Sequence, residues 1–210
     1  MSPSNPHAGQ KILRRGAAPA IARLAVLLVH GRGGSASDML ALADELALPD
    51  IAWVAPQAAG QTWYPYSFLS PIAQNEPGIS SGLGVLKNLV DELGRTGIPP
   101  QRVGVLGFSQ GACLALEFAA RNPQPYAAVV GLSGGLIGPP GTPRDYPGSL
   151  DGAAVFLGCS DVDPHIPVER VRESAEVFRR LGAQVDERIY PGMGHIINQD
   201  ELESVRRLLL

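Results

Sequence analysis

A serine hydroxyl is a weak nucleophile at neutral pH and becomes useful only with a base in hydrogen-bond reach and a third group that orients that base. Ser109 sits in Gly107-Phe108-Ser109-Gln110-Gly111, directly after the apolar run Val103 to Leu106 and before the helix-like run Ala112 to Ala120. Strand, sharp turn and helix with a serine at the apex is the G-x-S-x-G elbow. There a strained backbone pushes the hydroxyl outward, and small flanking residues let strand and helix pass closely. Gly131-Leu132-Ser133-Gly134-Gly135 fits the same pattern in this chain of 25 glycines, but Pro139-Pro140 follows and cannot open a long helix. Ser109 is the candidate nucleophile and Ser133 the decoy.

A base must come from the four histidines, His7, His30, His165 and His195. In a strand-turn-helix site of this type the chain order is nucleophile, acid, base. His195 follows the last strand-like run on the flexible stretch Gly192-Met193-Gly194, so it is the expected base. His7 lies in a ragged N-terminus, His30 precedes the serine, and His165 is expected to be exposed or part of the site wall. The acid belongs between Ser109 and His195 at a strand end, where Gly158 to Pro167 offers Asp161 and Asp163. Asp163 is favoured because Ile166 and Pro167 fix the start of the next helix and with it the preceding carboxylate. Asp161 stays open as the alternative.

Charge that develops on a substrate oxygen needs two N–H donors held ready for it. The backbone N–H of Gln110, at the start of the elbow helix, is one. The backbone N–H of Arg32, in His30-Gly31-Arg32-Gly33-Gly34 after the first core strand, is the other. That glycine-rich stretch lacks the lysine of a phosphate-binding G-x-x-x-x-G-K-[ST] loop, and no H-E-x-x-H or paired-cysteine spacing occurs. Neither cofactor nor metal is expected.

These residues need a frame. Lys11 to Arg15 reads as a leading edge strand. Leu24 to Val29, L-A-V-L-L-V, has the continuous apolar character of a strand buried on both faces. Ser35 or Ser37 caps a helix to about Ala47, and Ile51 to Ala55 is the next strand. From Gln57 to about Ser81 no period holds, yet Trp63, Tyr64 and Phe68 make the stretch too aromatic to be left in water. Those three and Leu136 are the expected substrate-lining residues, with core packing as the competing role for the aromatics. A helix is expected from about Gly84 to Leu93, then strands at Tyr126 to Leu132, Ala153 to Leu157 and Val185 to Tyr190. Helices from Val168 to Leu181 and Gln199 to Leu209 complete the pattern. Strands alternating with helices imply one α/β domain over residues 1–210, with a mostly parallel sheet and helices on both faces. Ligands bind such sheets at the carboxyl ends of the strands, where Arg32, Ser109, the two aspartates and His195 all fall.

Composition narrows the rest. With 210 residues, 45% hydrophobic, a net charge of -3 and pI near 5.8, nothing favours nucleic acid or an anionic surface. Residues 1 to about 10 are polar and expected to be flexible, with no apolar stretch of the kind a secretory signal needs. No apolar run approaches the roughly 18 residues of a membrane span, so a cytoplasmic protein is expected. Cys113 and Cys159 read as two reduced small hydrophobes. A homodimer is one option for the chain's assembly.

With these residues placed, the chain resembles the α/β-hydrolase fold without a cap domain, and within it the phospholipase/carboxylesterase family that includes acyl-protein thioesterases. The resemblance rests on His30-Gly31-Arg32-Gly33, Ala55-Pro56-Gln57, Gly107 to Gly111, Asp163-Pro164-His165-Ile166-Pro167 and Gly194-His195, and covers nearly the whole chain. It implies a serine esterase acting on a small acyl ester, a thioester or a lysophospholipid through an acyl-enzyme. It also implies Ser109, Asp163 and His195 as triad, with Arg32 and Gln110 as oxyanion donors. Two features depart from the family: an arginine where a small apolar residue is common, and a longer aspartate loop. The competing readings are a hydrolase of cyclic esters, like dienelactone hydrolases, which typically carry cysteine at the apex, and a non-catalytic binding protein on the same fold.

Overall fold

The computed structural model describes residues 5–210. Their centre is one seven-stranded sheet in the order β1-β3-β2-β4-β5-β6-β7, built from β1 (Ile12–Gly16), β2 (Leu24–Val29), β3 (Ile51–Pro56), β4 (Val103–Phe108), β5 (Ala128–Leu132), β6 (Ala154–Ser160) and β7 (Gln184–Tyr190). All neighbours run parallel except β1, which pairs antiparallel with β3. The helices are α1 (Ala36–Leu46), α2 (Gly78–Arg95), α3 (Gln110–Arg121), α4 (Val168–Arg180) and α5 (Gln199–Leu209).

The unbroken apolar character of β2 follows from cover on both faces. Ala25, Leu27 and Val29 join the core under α2, α3 and α4, while Val26 and Leu28 join the core under α1 and α5. A strand between two helical layers has no solvent face to make polar, so the alternation typical of half-exposed strands disappears. β7, at the sheet edge, is half-exposed along most of its length, in line with its more polar sequence.

Helix α2 begins at Gly78, six residues before the expected start. Gly78 and Gly82 are poor helix formers, but close packing requires them. A Cβ on Gly78 would lie 2.5 Å from the Trp63 carbonyl oxygen, and one on Gly82 would lie 2.8 Å from Leu114 Cδ2. Tertiary contact therefore overrides the local cost of roughly 1 kcal/mol per glycine.

The N-terminal residues differ more. Asn5 to Gln10 form a turn against the body of the protein rather than a flexible tail, with His7 only 4% exposed; the expectation for residues 1–4 lies outside the described residues. The cause is polar. His7 finds hydrogen-bond partners on α2 and on the segment after β3.

Between β5 and β6 the chain forms neither helix nor strand, but it is firmly held. Buried Glu117 of α3 accepts from the Ile137 N–H at 3.0 Å, and the Arg170 guanidinium donates to the carbonyls of Leu136 and Gly138 at 2.7 and 2.6 Å. Leu136 is drawn inward by these bonds and is fully buried.

Candidate active site

The elbow forms between β4 and α3. Ser109 has φ 55° and ψ −122°, a region that L-residues rarely occupy and that costs on the order of 1–3 kcal/mol. Its N–H donates to the Leu132 carbonyl at 2.9 Å, and its carbonyl accepts from Cys113 at 3.0 Å, so both neighbours of the turn hold it. The flanking glycines make the crossing possible. A Cβ on Gly107 would lie 2.2 Å from the Gly111 oxygen, and one on Gly111 would lie 2.0 Å from the Val29 oxygen. Ser133 also has positive φ, 50°, but is fully buried and no helix follows it.

The structure brings Ser109, His195 and Asp163 together from three strand ends. Ser109 Oγ lies 2.8 Å from His195 Nε2, and His195 Nδ1 lies 2.7 Å from Asp163 Oδ2. A carboxylate can only accept, so Nδ1 carries the ring proton and Nε2 is left to accept from the serine hydroxyl. Asp163 Oδ1 accepts from the N–H groups of His165 and Ile166 at 2.8 and 3.0 Å, which fixes the carboxylate plane. Burial pushes the Asp163 carboxyl upward, but the His195 bond and the two amides outweigh it and hold the group below its ordinary value. Its side chain is 0% exposed, against 18% for His195.

Asp161 has another task. Its Oδ1 accepts from Gly192 at 2.7 Å and its N–H donates to the Tyr190 carbonyl, so it shapes the turn that precedes His195. Ser160 Oγ ties the two loops further, accepting from Val162 and Gly194 at 3.1 Å each. Just beyond, Asn198 and Glu201 form a reciprocal capping box on α5, which anchors the far end of the histidine loop.

Gln110 is the first residue of α3, so its N–H has no carbonyl one turn back. The loop after β2 reaches the serine at Gly31, where a Cβ would lie 3.2 Å from Ser109 Cβ. Arg32 follows, and its side chain is tied to the segment after β3. The guanidinium donates to the carbonyls of Tyr64, Pro65 and Tyr66 at 3.0, 2.8 and 2.7 Å.

A cavity of about 380 Å³ lies over Ser109, walled by Tyr64 to Phe68 on one side and by Gln110, Cys113, His165 and Ile166 on the other. Tyr64 and Phe68 line it; Trp63 and Leu136 do not. Trp63 is 0% exposed, its indole N–H donating to the His30 carbonyl at 2.9 Å and its ring lying between His7 and His30. Leu136 is held in the core by the backbone bonds described above. His165 takes the wall position, edge-on to the His195 ring at 4.9 Å. Sequence reasoning passed over Tyr66 and Cys113, although the Trp63-Tyr64-Pro65-Tyr66 run and the position of Cys113 one helical turn after Ser109 were signals for both. The two cysteines are free and buried, and burial pushes the Cys113 thiol up to about 12.

His30 is fully enclosed. Its Nε2 accepts from the Ala58 N–H at 3.0 Å, and burial lowers its pKa, so it serves the loop as a neutral hydrogen-bonding group. Among the described residues, no group of three or more His, Cys, Asp or Glu is arranged to hold a metal ion, and no helix is long and apolar enough to cross a membrane.

A family model described as Phospholipase/Carboxylesterase matches residues 17–209. Acyl-protein thioesterase 1 of Gibberella zeae is 30% identical over 145 residues, which is 65% of this chain and 59% of that protein's length. Acyl-protein thioesterase 1 of Kluyveromyces lactis is 28% identical over 215 residues, 90% of this chain and 91% of that protein. Among solved structures, a phospholipase/carboxylesterase from Dyadobacter fermentans superposes with a TM-score of 0.93 at 39% identity, over 96% of this chain and 97% of the other. Esterase PE8 gives a TM-score of 0.76 at 28% identity, over 95% and 96%.

Proposed function

We propose, from the premise that this chain belongs to the phospholipase/carboxylesterase family, that it hydrolyses short to medium acyl esters or thioesters through a Ser-His-Asp triad. The observation that carries this reading is the unbroken line from Ser109 Oγ through the His195 ring to Asp163, at 2.8 and 2.7 Å. His195 Nε2 takes the serine proton as Oγ attacks the carbonyl carbon. Asp163 stays ionised, stabilising the imidazolium and keeping its proton on Nδ1. The substrate oxygen, now negative, is met by the backbone N–H groups of Gln110 and Arg32. His195 then gives its proton to the leaving alcohol or thiol, which departs and leaves the acyl group on Ser109. Water, deprotonated by the same histidine, attacks the acyl-enzyme carbonyl; the Ser109 Oγ–carbon bond then breaks, the acid leaves, and His195 returns the proton to Oγ.

The cavity of about 380 Å³ stands near the lower end of the ~300–1,000 Å³ of small-molecule sites, which suits an acyl group of modest length. Tyr64, Phe68 and Ile166 supply apolar wall for it. The test is Ser109→Ala on p-nitrophenyl butyrate, with a chain-length series of esters and thioesters run on wild type. Hydrolysis vanishes in the variant if the reading holds. A folded Ser109→Ala protein that still turns over the ester overturns it.

A further inference from the structure

His7 has no part in that chemistry, yet it is one of the few polar side chains the protein encloses, at 4% exposed. Both of its ring nitrogens bond to one stretch of backbone. The Ala59 N–H donates to Nδ1 at 3.1 Å, and Nε2 donates to the Trp63 carbonyl at 2.8 Å. Only the neutral ring with its proton on Nε2 makes both bonds, because Nδ1 must offer a lone pair. The His7 backbone N–H in turn donates to Ser81 Oγ on α2 at 3.0 Å, and the ring stands edge-on to Trp63 at 5.1 Å.

The stretch so held, residues 59–66, is a strap that grips both oxyanion residues. The Trp63 N–H donates to Gln110 Oε1, and Gln110 Nε2 donates to the Tyr64 carbonyl, each at 2.8 Å. On the other side, the Trp63 indole reaches the His30 carbonyl, the Gln61 carbonyl accepts from Gly33 at 2.8 Å, and Arg32 binds three successive strap carbonyls. The strap thus touches the loop before, at and after Arg32. Apart from one short turn at Ala59–Gln61 it has no regular hydrogen-bond ladder of its own. Backbone in that condition depends on side chains for its place.

We propose that His7 is a positioning residue for the oxyanion site, fixing Gln110 and Arg32 through the strap, so that the N-terminal turn is a working part of the active site. The inference rests on the esterase reading above. Donors aimed at a developing oxyanion act on the transition state far more than on bound substrate, and shifting them by a fraction of an ångström should lower kcat with little change in KM.

The experiment compares wild type with His7→Leu, which fills the space without hydrogen bonds, and His7→Gln, which keeps one donor and one acceptor. Rates on p-nitrophenyl butyrate are normalised to sites titrated with a fluorophosphonate, so that unfolded protein does not count. His7→Leu is expected to lose about tenfold in kcat with KM within about twofold, and to bind an alkyl boronic acid, a tetrahedral analogue, more weakly by the same factor. His7→Gln should recover part of both. A residue that merely stabilises the fold would lower Tm and leave kcat per titrated site and boronate affinity alone. That result in His7→Leu overturns the proposal. Should His7→Leu not fold, Ser81→Ala, which frees the His7 backbone N–H, and His7→Gln carry the same comparison. A dead Ser109→Ala variant beside unchanged His7 variants would leave the esterase reading standing and remove only this one.

Discussion

Replacing Asp163 by asparagine separates the two aspartates of the loop and tests the direction of every hydrogen bond in the site. The N–H groups of His165 and Ile166 both point at Asp163 Oδ1, at 2.8 and 3.0 Å, and they demand an acceptor there. An asparagine must place its oxygen toward them, which turns its NH₂ toward His195 Nδ1, where Asp163 Oδ2 stands at 2.7 Å. A donor facing Nδ1 forces the ring proton onto Nε2, and Nε2 then has no lone pair for the serine hydroxyl 2.8 Å away. The geometry survives and the tautomer is wrong. The expected loss in kcat is roughly 10⁴-fold, or about 5 kcal/mol of transition-state stabilisation. Asp161→Asn keeps an oxygen for the Gly192 N–H, and the acceptor is all that this contact uses, so kcat should stay within about threefold of wild type. The assay is p-nitrophenyl butyrate turnover for both variants, with circular dichroism to verify folding. A folded Asp163→Asn enzyme within about tenfold of wild type, or a collapse in Asp161→Asn, refutes the reasoning.

Three substitutions elsewhere in the fold bear on stability. Gly111→Ala would drive a Cβ to 2.0 Å from the Val29 oxygen, a backbone atom that cannot yield, and should cost more than about 3 kcal/mol or prevent folding; Gly84→Ala on α2, with nothing within 4 Å, should be neutral or gain about 0.5–1 kcal/mol in urea melts. Burial raises the Glu201 carboxyl to about 7, against the opposing bond from Asn198, so the folded protein keeps a proton that the unfolded chain sheds near an ordinary glutamate value. Its stabilising contribution is present below about pH 4.5 and is lost as pH rises to about 7. Glu201→Gln should therefore gain on wild type by about 3 kcal/mol across that window in denaturant titrations. A difference that does not vary with pH would rule this out.

Ser109, His195 and the sheet were legible because each leaves a local mark. The elbow needs glycine at 107 and 111, a strand covered on both faces needs an unbroken apolar run, and a reaching histidine needs the loose glycines before it. Asp163 is favoured over Asp161 only through the helix entry that Ile166 and Pro167 fix. Which carboxylate faces the imidazole and which faces the Gly192 N–H is a difference of orientation between two residues close along one loop, and the helix entry at Ile166 and Pro167 marks it only indirectly. Trp63 and Leu136 have the composition of site walls, but hydrogen bonds to the His30 carbonyl, Ser174 and Arg170 turn them inward.

Chain order, element pattern and the identity of the elbow serine were set by the sequence itself, since propensity, hydrophobic period and backbone sterics act over a few residues. The start of α2, the docking of His7 and the division of labour between Asp161 and Asp163 were decided only in three dimensions. Each depends on a partner distant in sequence: Trp63 for Gly78, Ala59 and Trp63 for His7, His195 for Asp163. A contact of that kind acquires its free energy only when folding brings the partner within hydrogen-bond or van der Waals reach, and no local pattern records it beforehand.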